Sequence, residues 1–466
     1  MEIFIVSVFV LGYLAITLEH SLKIDKLVPA LLMMALAWAG VTFGLDGFTM
    51  WFDSHASVLM DGENGTANFA LMDHEDRLHT MESTLLHHFG KTCEILIFLI
   101  GAMTIVEIID HFHGFSTIKS FIKTNKKRTL LWIVAGLAFI LSAIIDNLTA
   151  TIVLITILRK LLDNSKDRIW FAGLIVITAN AGGAWSPIGD VTTTMLWMGK
   201  KVTAEQLFLM LIVPSLICAI IPTIIASFMP AFKGNFDLPK EDTNVNARGP
   251  LMLYLGLGMI IFVPLFKTVT HLPPYVGMML SLGVVALFAE TISAKQFKMS
   301  YLGVVDKDKT PDYVASIPPQ HHESPTFRAL TKIEMPSILF FLGILMTVAA
   351  LESLGLVFNF GQTVQASMHD DVFVMLLGAG SAIIDNVPLV AASMGMFQEP
   401  VDHHIWHFIA YAAGTGGSML IIGSAAGVVA MGMEKISFFW YLKKISWLAL
   451  VGYLAGAGAY LLINPV

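Results

Sequence analysis

Carboxylates in the middle of apolar runs are the residues of this sequence whose types and spacing could do chemistry. The segment Ser142–Asn147 reads SAIIDN and recurs letter for letter at Ser381–Asn386, so each copy carries an Asp-Asn pair, and a third carboxylate, Asp190, follows a glycine-rich stretch. A charged carboxylate inside a bilayer costs about 2.5–3.5 kcal/mol on insertion scales. No Lys or Arg stands close to these three along the chain. Each therefore needs a partner or a role.

The chemistry that these residues favour is the binding of a small, hard cation. Na⁺ and Li⁺ prefer oxygen ligands, and the C-terminal ends of half-helices add negative potential. A carboxyl group buried away from water holds a proton unless a cation replaces it, so one group that accepts either ion is sufficient for exchange. The alternative is a neutral Asp that only caps a helix, which the duplication disfavours. The candidate ligands of the first half are Asp146, Asn147, Thr149, Thr151, Asn180, Ser186, Asp190, Thr192 and Thr193.

The composition indicates the kind of protein that must position these groups. The chain has 466 residues, of which 56% are apolar and 14% charged, with a mean hydropathy of +0.73. Soluble proteins carry about 25% charged residues. Its apolar runs reach the ~20 residues that a helix needs to cross a bilayer. We predict an all-α polytopic membrane protein, and a net charge of −7 argues against a nucleic-acid partner.

Four of the apolar runs are interrupted in their middle. The runs 130–162 and 371–398 contain the Asp-Asn pairs, and the runs 168–198 and 404–433 contain glycine-rich stretches. Uninterrupted helices do not show these patterns. The sequence therefore predicts two re-entrant hairpins and two broken helices beside about ten transmembrane helices.

The charges of three connecting segments predict the orientation. The segment 111–129 is basic and should be cytoplasmic, the acidic segment 46–92 should lie outside, and 291–334 should lie inside. These assignments agree if each hairpin enters and leaves on one side, which puts both termini outside. The histidines of the acidic segment are interpreted as parts of a solvated loop, with pH sensing as the alternative: His55, His74, His79, His87 and His88.

The two halves of the chain are predicted to be inverted repeats, residues 1–229 and 250–466, joined by a linker at 230–249. Broken segments in corresponding positions point to a transporter site at the membrane midplane. The halves are not equivalent, because Ser424 stands where the first half has Asp190 and Gly414 where it has Asn180. We place the main ion site in the first half. The candidates of the second half are Ser381, Asp385, Asn386, Ser418 and Ser424.

Two further carboxylates follow a matched Met-Thr pair in each half. Glu107 and Glu352 could carry protons beside the site. An interfacial carboxylate near a helix end is an equally good interpretation of either residue.

The motifs Ser142–Thr151, Thr178–Thr194, Ser381–Val390 and Gly414–Gly427 resemble those of NhaD-type sodium/proton antiporters of the ion transporter superfamily, over nearly the whole chain. The resemblance implies a transporter and not an enzyme, without a cofactor, that exchanges Na⁺ and also Li⁺ for H⁺ in the bacterial inner membrane. It implies an elevator mechanism, in which a transport domain with both hairpins slides against a scaffold that usually forms a homodimer. It assigns the exchange to Asp146, Asn147, Asn180, Asp190, Thr192, Thr193, Ser381, Asp385, Asn386, Ser418 and Ser424.

Two other functions remain as alternatives. An arsenite or organic-anion carrier could share this fold, but dicarboxylate carriers of the superfamily have Ser-Asn-Thr at both tips, and an Asp at each tip would repel an anion. An intramembrane aspartyl protease could use two membrane aspartates that share a proton. Such proteases carry a Gly-x-Gly-Asp signature, whereas the segment Ser186–Asp190 lacks the first Gly.

Overall fold

A computed structural model describes most of the chain, and its described residues are almost entirely helical. The described residues are 1–17, 22–53, 58–62, 68–119, 122–236, 248–304, 324–383 and 385–464. Within them, one short antiparallel pair of strands, Phe52–Asp53 (β1) and Val58–Leu59 (β2), is the sheet.

The first half of the chain contains nine described helices. Three short 3₁₀ turns accompany them, at Leu45–Gly47, Phe69–Leu71 and Pro230–Phe232. The helices are α1 (Glu2–Thr17), α2 (Leu27–Gly44), α3 (His74–His111), α4 (Ser116–Lys119), α5 (Lys127–Ile145), α6 (Asn147–Leu161), α7 (Ser165–Gly183), α8 (Val191–Met198) and α9 (Ala204–Phe228).

The second half continues in the same manner. Its described helices are α10 (Gly249–Thr270), α11 (Pro274–Val304), α12 (Pro325–Lys332), α13 (Met335–Ser353), α14 (Leu356–Ser367), α15 (Asp370–Gly380), α16 (Asn386–Met396), α17 (His404–Gly416), α18 (Ala425–Glu434), α19 (Phe438–Lys444) and α20 (Ser446–Ile463).

The predicted class, an all-α polytopic membrane protein, is confirmed. Eight helices among the described residues are long and apolar enough to cross a membrane, and α1 falls short with 16 residues. The runs that were predicted as hairpins are the helix pairs α5–α6 and α15–α16, and the predicted broken helices are the pairs α7–α8 and α17–α18. Asp-Asn and Gly-rich stretches end helices at these places because both favour turns over helix interiors.

The prediction of a loop throughout 46–92 was wrong for its last part. Helix α3 begins at His74, and four of the histidines that were assigned to the loop lie on it. Asp73 accepts a hydrogen bond from Asp76 N at 2.8 Å, which satisfies the first turn, and the buried Arg77 guanidinium donates to Ala70 O at 2.7 Å. A hydropathy argument misses this part of α3 because its first turns are polar. His55 lies outside the described residues.

By its contacts the chain divides into two compact units. One comprises Met1–Ile97, Thr124–Pro239 and Met335–Val466, and the other Phe98–Lys123 and Lys240–Glu334. Both hairpins and both broken helices belong to the first unit. The boundaries of the predicted repeats stay a prediction, and residues 237–247 of the predicted linker lie outside the described part.

Within the first unit, helices of one half of the chain pack against helices of the other half. In each half both hairpin arms pack against the first part of the broken helix, α5 and α6 against α7, and α15 and α16 against α17. The second arms cross over, so that α6 packs against α18 and α16 against α8. Within each half, a glycine lets the first hairpin arm approach the broken helix closely, because a Cβ at Gly182 would lie 2.2 Å from Phe139 O and one at Gly416 2.0 Å from Gly378 O.

The crossed arrangement is fixed at its periphery by a buried carboxylate. Glu434, at the end of α18, accepts hydrogen bonds from Arg159 Nε of α6 at 2.7 Å and from Arg168 Nε of α7 at 2.9 Å. A buried carboxylate stays ionised only where hydrogen-bonded charges compensate it. The two ion pairs of Glu434 therefore hold the end of α18 against α6 and α7.

Candidate ion site

Each of the four chain breaks is followed by a helix whose first turn is capped by a side-chain oxygen of the preceding residue. Asp146 accepts from Thr149 N at 2.7 Å, Asp190 from Thr192 N at 3.4 Å, Asp385 from Val387 N at 3.4 Å and Ser424 from Gly427 N at 3.2 Å. The first N–H groups of a helix have no partner in the helix, and its N-terminus carries a positive partial charge. The caps therefore stabilise three carboxylates in a largely apolar environment.

The two hairpin tips turn in different ways. Asp146 has φ = +78° and turns the chain within one residue between α5 and α6. Asp is among the residues that tolerate positive φ best. The second tip spreads its turn over residues 381–385, and Asp385 has φ = −48°. Residue 384 lies outside the described part of this tip.

The centre of the site is the buried carboxylate of Asp190. Its Oδ2 accepts hydrogen bonds from Nδ2 of Asn386 at 3.0 Å and from Nδ2 of Asn147 at 3.5 Å, so the asparagines of both hairpin tips meet on one oxygen. Asn147 Nδ2 also donates to Asn180 Oδ1 at 3.1 Å, and Asn180 Nδ2 donates to Ser424 Oγ at 3.1 Å. All five side chains are buried. The crossed packing of α16 on α8 and of α6 on α18 brings them together.

Several predicted ligands hold the backbone of the site. Ser381 Oγ donates to Ala413 O at 2.8 Å, and Ser142, its counterpart, which the sequence analysis did not select, donates to Ala179 O at 2.6 Å. Ser418 Oγ donates to Thr415 O, and Ser186 Oγ accepts from Ile188 N. These serines fix the turns around the central cluster.

The threonines of the first half differ in their contacts. Thr149 Oγ1 donates to Asp146 Oδ2 at 3.0 Å, and Thr193 Oγ1 donates to Asp190 O at 2.9 Å. Thr192 is buried, and its backbone N–H donates to Asp190 Oδ1 at 3.4 Å. Thr151 Oγ1 is buried without a hydrogen-bond partner among the described residues. Thr151 can therefore offer an oxygen to a ligand.

A glycine leaves room next to the central carboxylate. Gly414 takes the position that Asn180 has in the first half, and a Cβ built there would lie 3.8 Å from Asp190 Oδ2 and 3.2 Å from Ala184 Cβ. A larger side chain would fill the space beside that oxygen. The replacement of Asn by Gly in the second half thus keeps one side of Asp190 open.

The carboxylate of the second tip has a partner that the sequence analysis missed. Lys26 Nζ lies 3.1 Å from Asp385 Oδ2, and the two residues are 359 positions apart in the chain. The only sequence signal was a lysine directly before an apolar helix, a pattern that is common at membrane interfaces. Asp385 is therefore ion-paired with Lys26, whereas Asp190 has no Lys or Arg ion pair among the described residues.

The two glutamates that were proposed as proton carriers lie in different units. Glu352 lines a cavity of about 410 Å³ in the first unit, together with His87, His88, Lys91 and Lys201. The cavity borders α8 and α16, the two helices whose N-termini carry Asp190 and Asn386. Glu107 lies on α3 in the second unit. Its part in the site stays a prediction.

The arrangement as a whole offers carboxylate, amide and hydroxyl oxygens around one buried carboxylate. Carboxylate and carbonyl oxygens suit hard cations. Asp190 has no Lys or Arg ion pair among the described residues. A proton or a small cation is the species that can neutralise it.

The family and the relatives that this chain matches are all described as transporters. The family described as citrate transporters, CitMHS, matches residues 13–406. The chain is 39% identical to sodium/proton antiporter 1 of Arabidopsis thaliana, over 98% of this chain and 71% of that protein, and 36% identical to sodium/proton antiporter 2 of the same plant, over 98% of both. It is 29% identical to the Na⁺/H⁺ antiporter NhaD of Alkalimonas amylolytica, over 98% of this chain and 90% of that protein.

A solved structure supports the fold. The crystal structure of the YdaH transporter of Alcanivorax borkumensis, whose title describes an unusual topology, matches with a TM-score of 0.56. The match covers 92% of this chain and 97% of that chain at 13% identity. At this identity the similarity concerns the fold alone.

Proposed function

The chain belongs to the NhaD-type sodium/proton antiporters of the ion transporter superfamily, within the CitMHS family, and on this premise we propose that it exchanges Na⁺ for H⁺ across a membrane. It is a multi-pass membrane transporter and not an enzyme. The finer proposal concerns the residues and the motion that perform the exchange.

One observation carries the proposal of a site. The carboxylate of Asp190 is buried, is met by amides from both hairpin tips and has no ion pair with Lys or Arg among the described residues. A charged group in such surroundings is stable only with a proton or a cation on it. Na⁺ and H⁺ therefore compete for Asp190, with Asp146 as the second carboxylate of the same half. Li⁺, another small hard cation, competes in the same way.

The crossed packing supports an elevator motion. Because α16 packs against α8 and α6 against α18, the hairpins and broken helices share contacts that a motion of one hairpin alone would break. We propose that the two hairpins and two broken helices move together and carry the ion cluster from one membrane face to the other. The remaining helices of a homodimer would form the static scaffold.

The exchange is tested in everted vesicles that contain the full-length protein. Na⁺ added to vesicles that are acidified inside should dissipate the pH gradient, Li⁺ should act likewise, and K⁺ serves as the comparison. Asp190→Asn keeps the size of the side chain but removes the charge for which the ions compete, so the Na⁺ response should disappear. Asp163→Asn, at an exposed loop position, is the matched control and should respond like the wild type.

Two outcomes contradict the proposal. A full Na⁺ response of Asp190→Asn would remove Asp190 from the mechanism. A wild-type protein that moves citrate and gives no ion-dependent pH change would favour the anion carrier, the alternative that the description of the family keeps open.

The orientation and the oligomeric state are proposed from the charge pattern and from the resemblance. We place Lys126 on the cytoplasmic side, Asp61 and both termini outside, and the protein in the plasma membrane as a homodimer. In a background without Cys93 and Cys218, Lys126→Cys should react with membrane-impermeant reagents from the cytoplasmic side and Asp61→Cys from outside. Reversed labelling would overturn the inverted repeat.

A further inference from the structure

We propose that the ammonium group of Lys26 is a built-in cation that occupies the position beside Asp385 at the second hairpin tip in the conformation of this structure, so that only the first-half site binds Na⁺ in that conformation. This inference rests on the proposed exchange of Na⁺ for H⁺ and names how many exchangeable cations the chain holds.

The geometry is that of a cation held on one carboxylate oxygen. Lys26 Nζ lies 3.1 Å from Asp385 Oδ2 and 4.4 Å from the centre of the Phe340 ring. The Lys26 and Asp385 side chains are 26% and 17% exposed. A carboxylate in front and an aromatic face beside it are both favourable for a partly desolvated ammonium group. Lys26 stands directly before α2, which packs against α13, the helix that carries Phe340.

The sequence of the two tips explains why the second needs a cation from elsewhere. At the first tip Thr149 supplies two donors to Asp146, its N–H to Oδ1 and its hydroxyl to Oδ2. The residue three positions after Asp385 is Pro388, which has neither group. Val387 N reaches Asp385 Oδ1, and Lys26 takes the oxygen that is served by a threonine hydroxyl in the first half.

The space beside Asp385 could receive a different cation. A cavity of about 60 Å³ is lined by Tyr13, Thr17, Lys26 and Asp385 together with apolar side chains, among them Phe340. This is room for a few water-sized groups. With the ammonium group removed, the Asp385 carboxylate would be left beside a space large enough for Na⁺, which Tyr13 and Thr17 also line. The lysine thus fills a position next to a carboxylate that could hold another cation.

The consequence is a fixed charge at one tip and an exchangeable charge at the other. In this conformation the tethered ammonium group neutralises Asp385, whereas Asp190 has no Lys or Arg ion pair among the described residues and depends on an ion from solution. Removing the lysine charge should therefore convert the second tip into a second Na⁺ site.

The experiment counts bound Na⁺ on the full-length protein in lipid nanodiscs by equilibrium binding of radioactive sodium. Lys26→Gln should bind one Na⁺ more per chain than the wild type. Lys26→Arg keeps the charge and should bind the wild-type number, as should the double variant Lys26→Gln with Asp385→Asn. The matched control is Lys127→Gln, which removes another half-buried ion pair, Lys127 Nζ to Asp167 Oδ2 at 2.7 Å, at the opposite end of α5 from the Asp146 tip.

The outcomes separate this inference from the proposed function. If the wild type binds no Na⁺, the proposed function fails. If the wild type binds Na⁺ and Lys26→Gln binds the same number, the inference fails while the function stands. Asp385→Asn decides the matter if Lys26→Gln does not fold, because it should keep the wild-type number. The loss of one Na⁺ in that variant would show that Asp385 holds Na⁺ and would overturn the inference.

Discussion

The two hairpin tips carry the same six residues, but their carboxylates have different backbone conformations and different partners. Asp146 turns the chain with a positive φ and has both oxygens bonded to Thr149, within its own turn. Asp385 has a negative φ and shares one oxygen with Lys26, which is 359 positions away. The asparagines behave alike, because both reach Asp190 Oδ2.

The comparison teaches which parts of a repeat carry the fold and which carry the chemistry. The hydrogen bonds of Ser142 and Ser381 to backbone oxygens and the close contacts of Gly182 and Gly416 agree between the halves, since they serve the packing of helices. The carboxylate of the broken helix, the amide opposite it and the donor three residues after the tip have all changed, as the pairs Asp190 and Ser424, Asn180 and Gly414, and Thr149 and Pro388 show. These differences agree with the proposal that the first half binds the ion and the second half supports it.

The largest effect on exchange is expected from substitution of a tip carboxylate, and the two tips should respond differently. Asp146→Asn removes a carboxylate that Na⁺ and H⁺ need but keeps a residue type that tolerates φ = +78°, so exchange should be lost while the protein still inserts. Asp385→Asn should leave the apparent Na⁺ affinity within about threefold of the wild type, because Lys26 already neutralised this position. Equal losses in both variants, measured as Na⁺-dependent pH change in everted vesicles, would contradict the division of roles.

A second substitution makes the halves alike at the central carboxylate. Gly414→Asn restores the residue of the first half and places an amide in the space beside Asp190 Oδ2, so the apparent Na⁺ affinity should fall about 100-fold, or about 2.7 kcal/mol. Gly414→Ala adds a Cβ at a distance of 3.8 Å from that oxygen and is the control. It should stay near wild type. Unchanged Na⁺ dependence of Gly414→Asn would show that the ion does not use this space.

A third pair of variants compares the two asparagines. Asn386 donates to Asp190 at 3.0 Å and Asn147 at 3.5 Å, so Asn386→Ala removes the stronger bond. A hydrogen bond to a charged group contributes about 1.5–3 kcal/mol, and the apparent Na⁺ affinity of Asn386→Ala should therefore change about tenfold or more. Asn147→Ala should change it less. The opposite order in Na⁺ titrations at constant pH would argue against Asp190 Oδ2 as the centre.

The smallest effect on exchange is expected where the halves agree. Gly182→Ala and Gly416→Ala place a Cβ against a backbone carbonyl, at 2.2 and 2.0 Å, and should each destabilise the protein by about 1–3 kcal/mol. Exchange per folded molecule should stay near wild type in both. Thermal unfolding in detergent measures the loss of stability, and similar losses in the two variants would support an equal structural role.

Much of this site could be predicted from the sequence, and the remainder could not for physical reasons. Helix breaks at Gly183 and Asp190 and tips at Asp146 and Asp385 follow from local chemistry, because glycine-rich stretches and Asp-Asn pairs favour turns over helix interiors. The cluster was predicted as a set of residues, but the hydrogen bonds between Asn386 and Asp190 and between Asn180 and Ser424 depend on the crossed packing of the halves.

Lys26 shows where such reasoning stops. A side chain 359 residues from its partner gives no local pattern, since only the folded chain brings the two together. The early start of α3 was missed for a different reason. Its first turns contain Glu75, Asp76 and a buried Arg77, which a hydropathy argument assigns to a loop although hydrogen bonds to the backbone satisfy the arginine.

The hydrogen bond between Asn386 and Asp190 also has a consequence for biosynthesis. The two residues are 196 positions apart, and at 5–20 residues per second a ribosome needs about 10–40 s to add the amide after the carboxyl group. Helix α8 is thus made well before α16, whose Asn386 donates a hydrogen bond to Asp190. During this interval the carboxyl group of Asp190 is stable among apolar helices only in a neutralised form. The uptake of a proton by Asp190, which we propose as a step of the exchange, would then also stabilise the newly made first half in the membrane until the second half is synthesised.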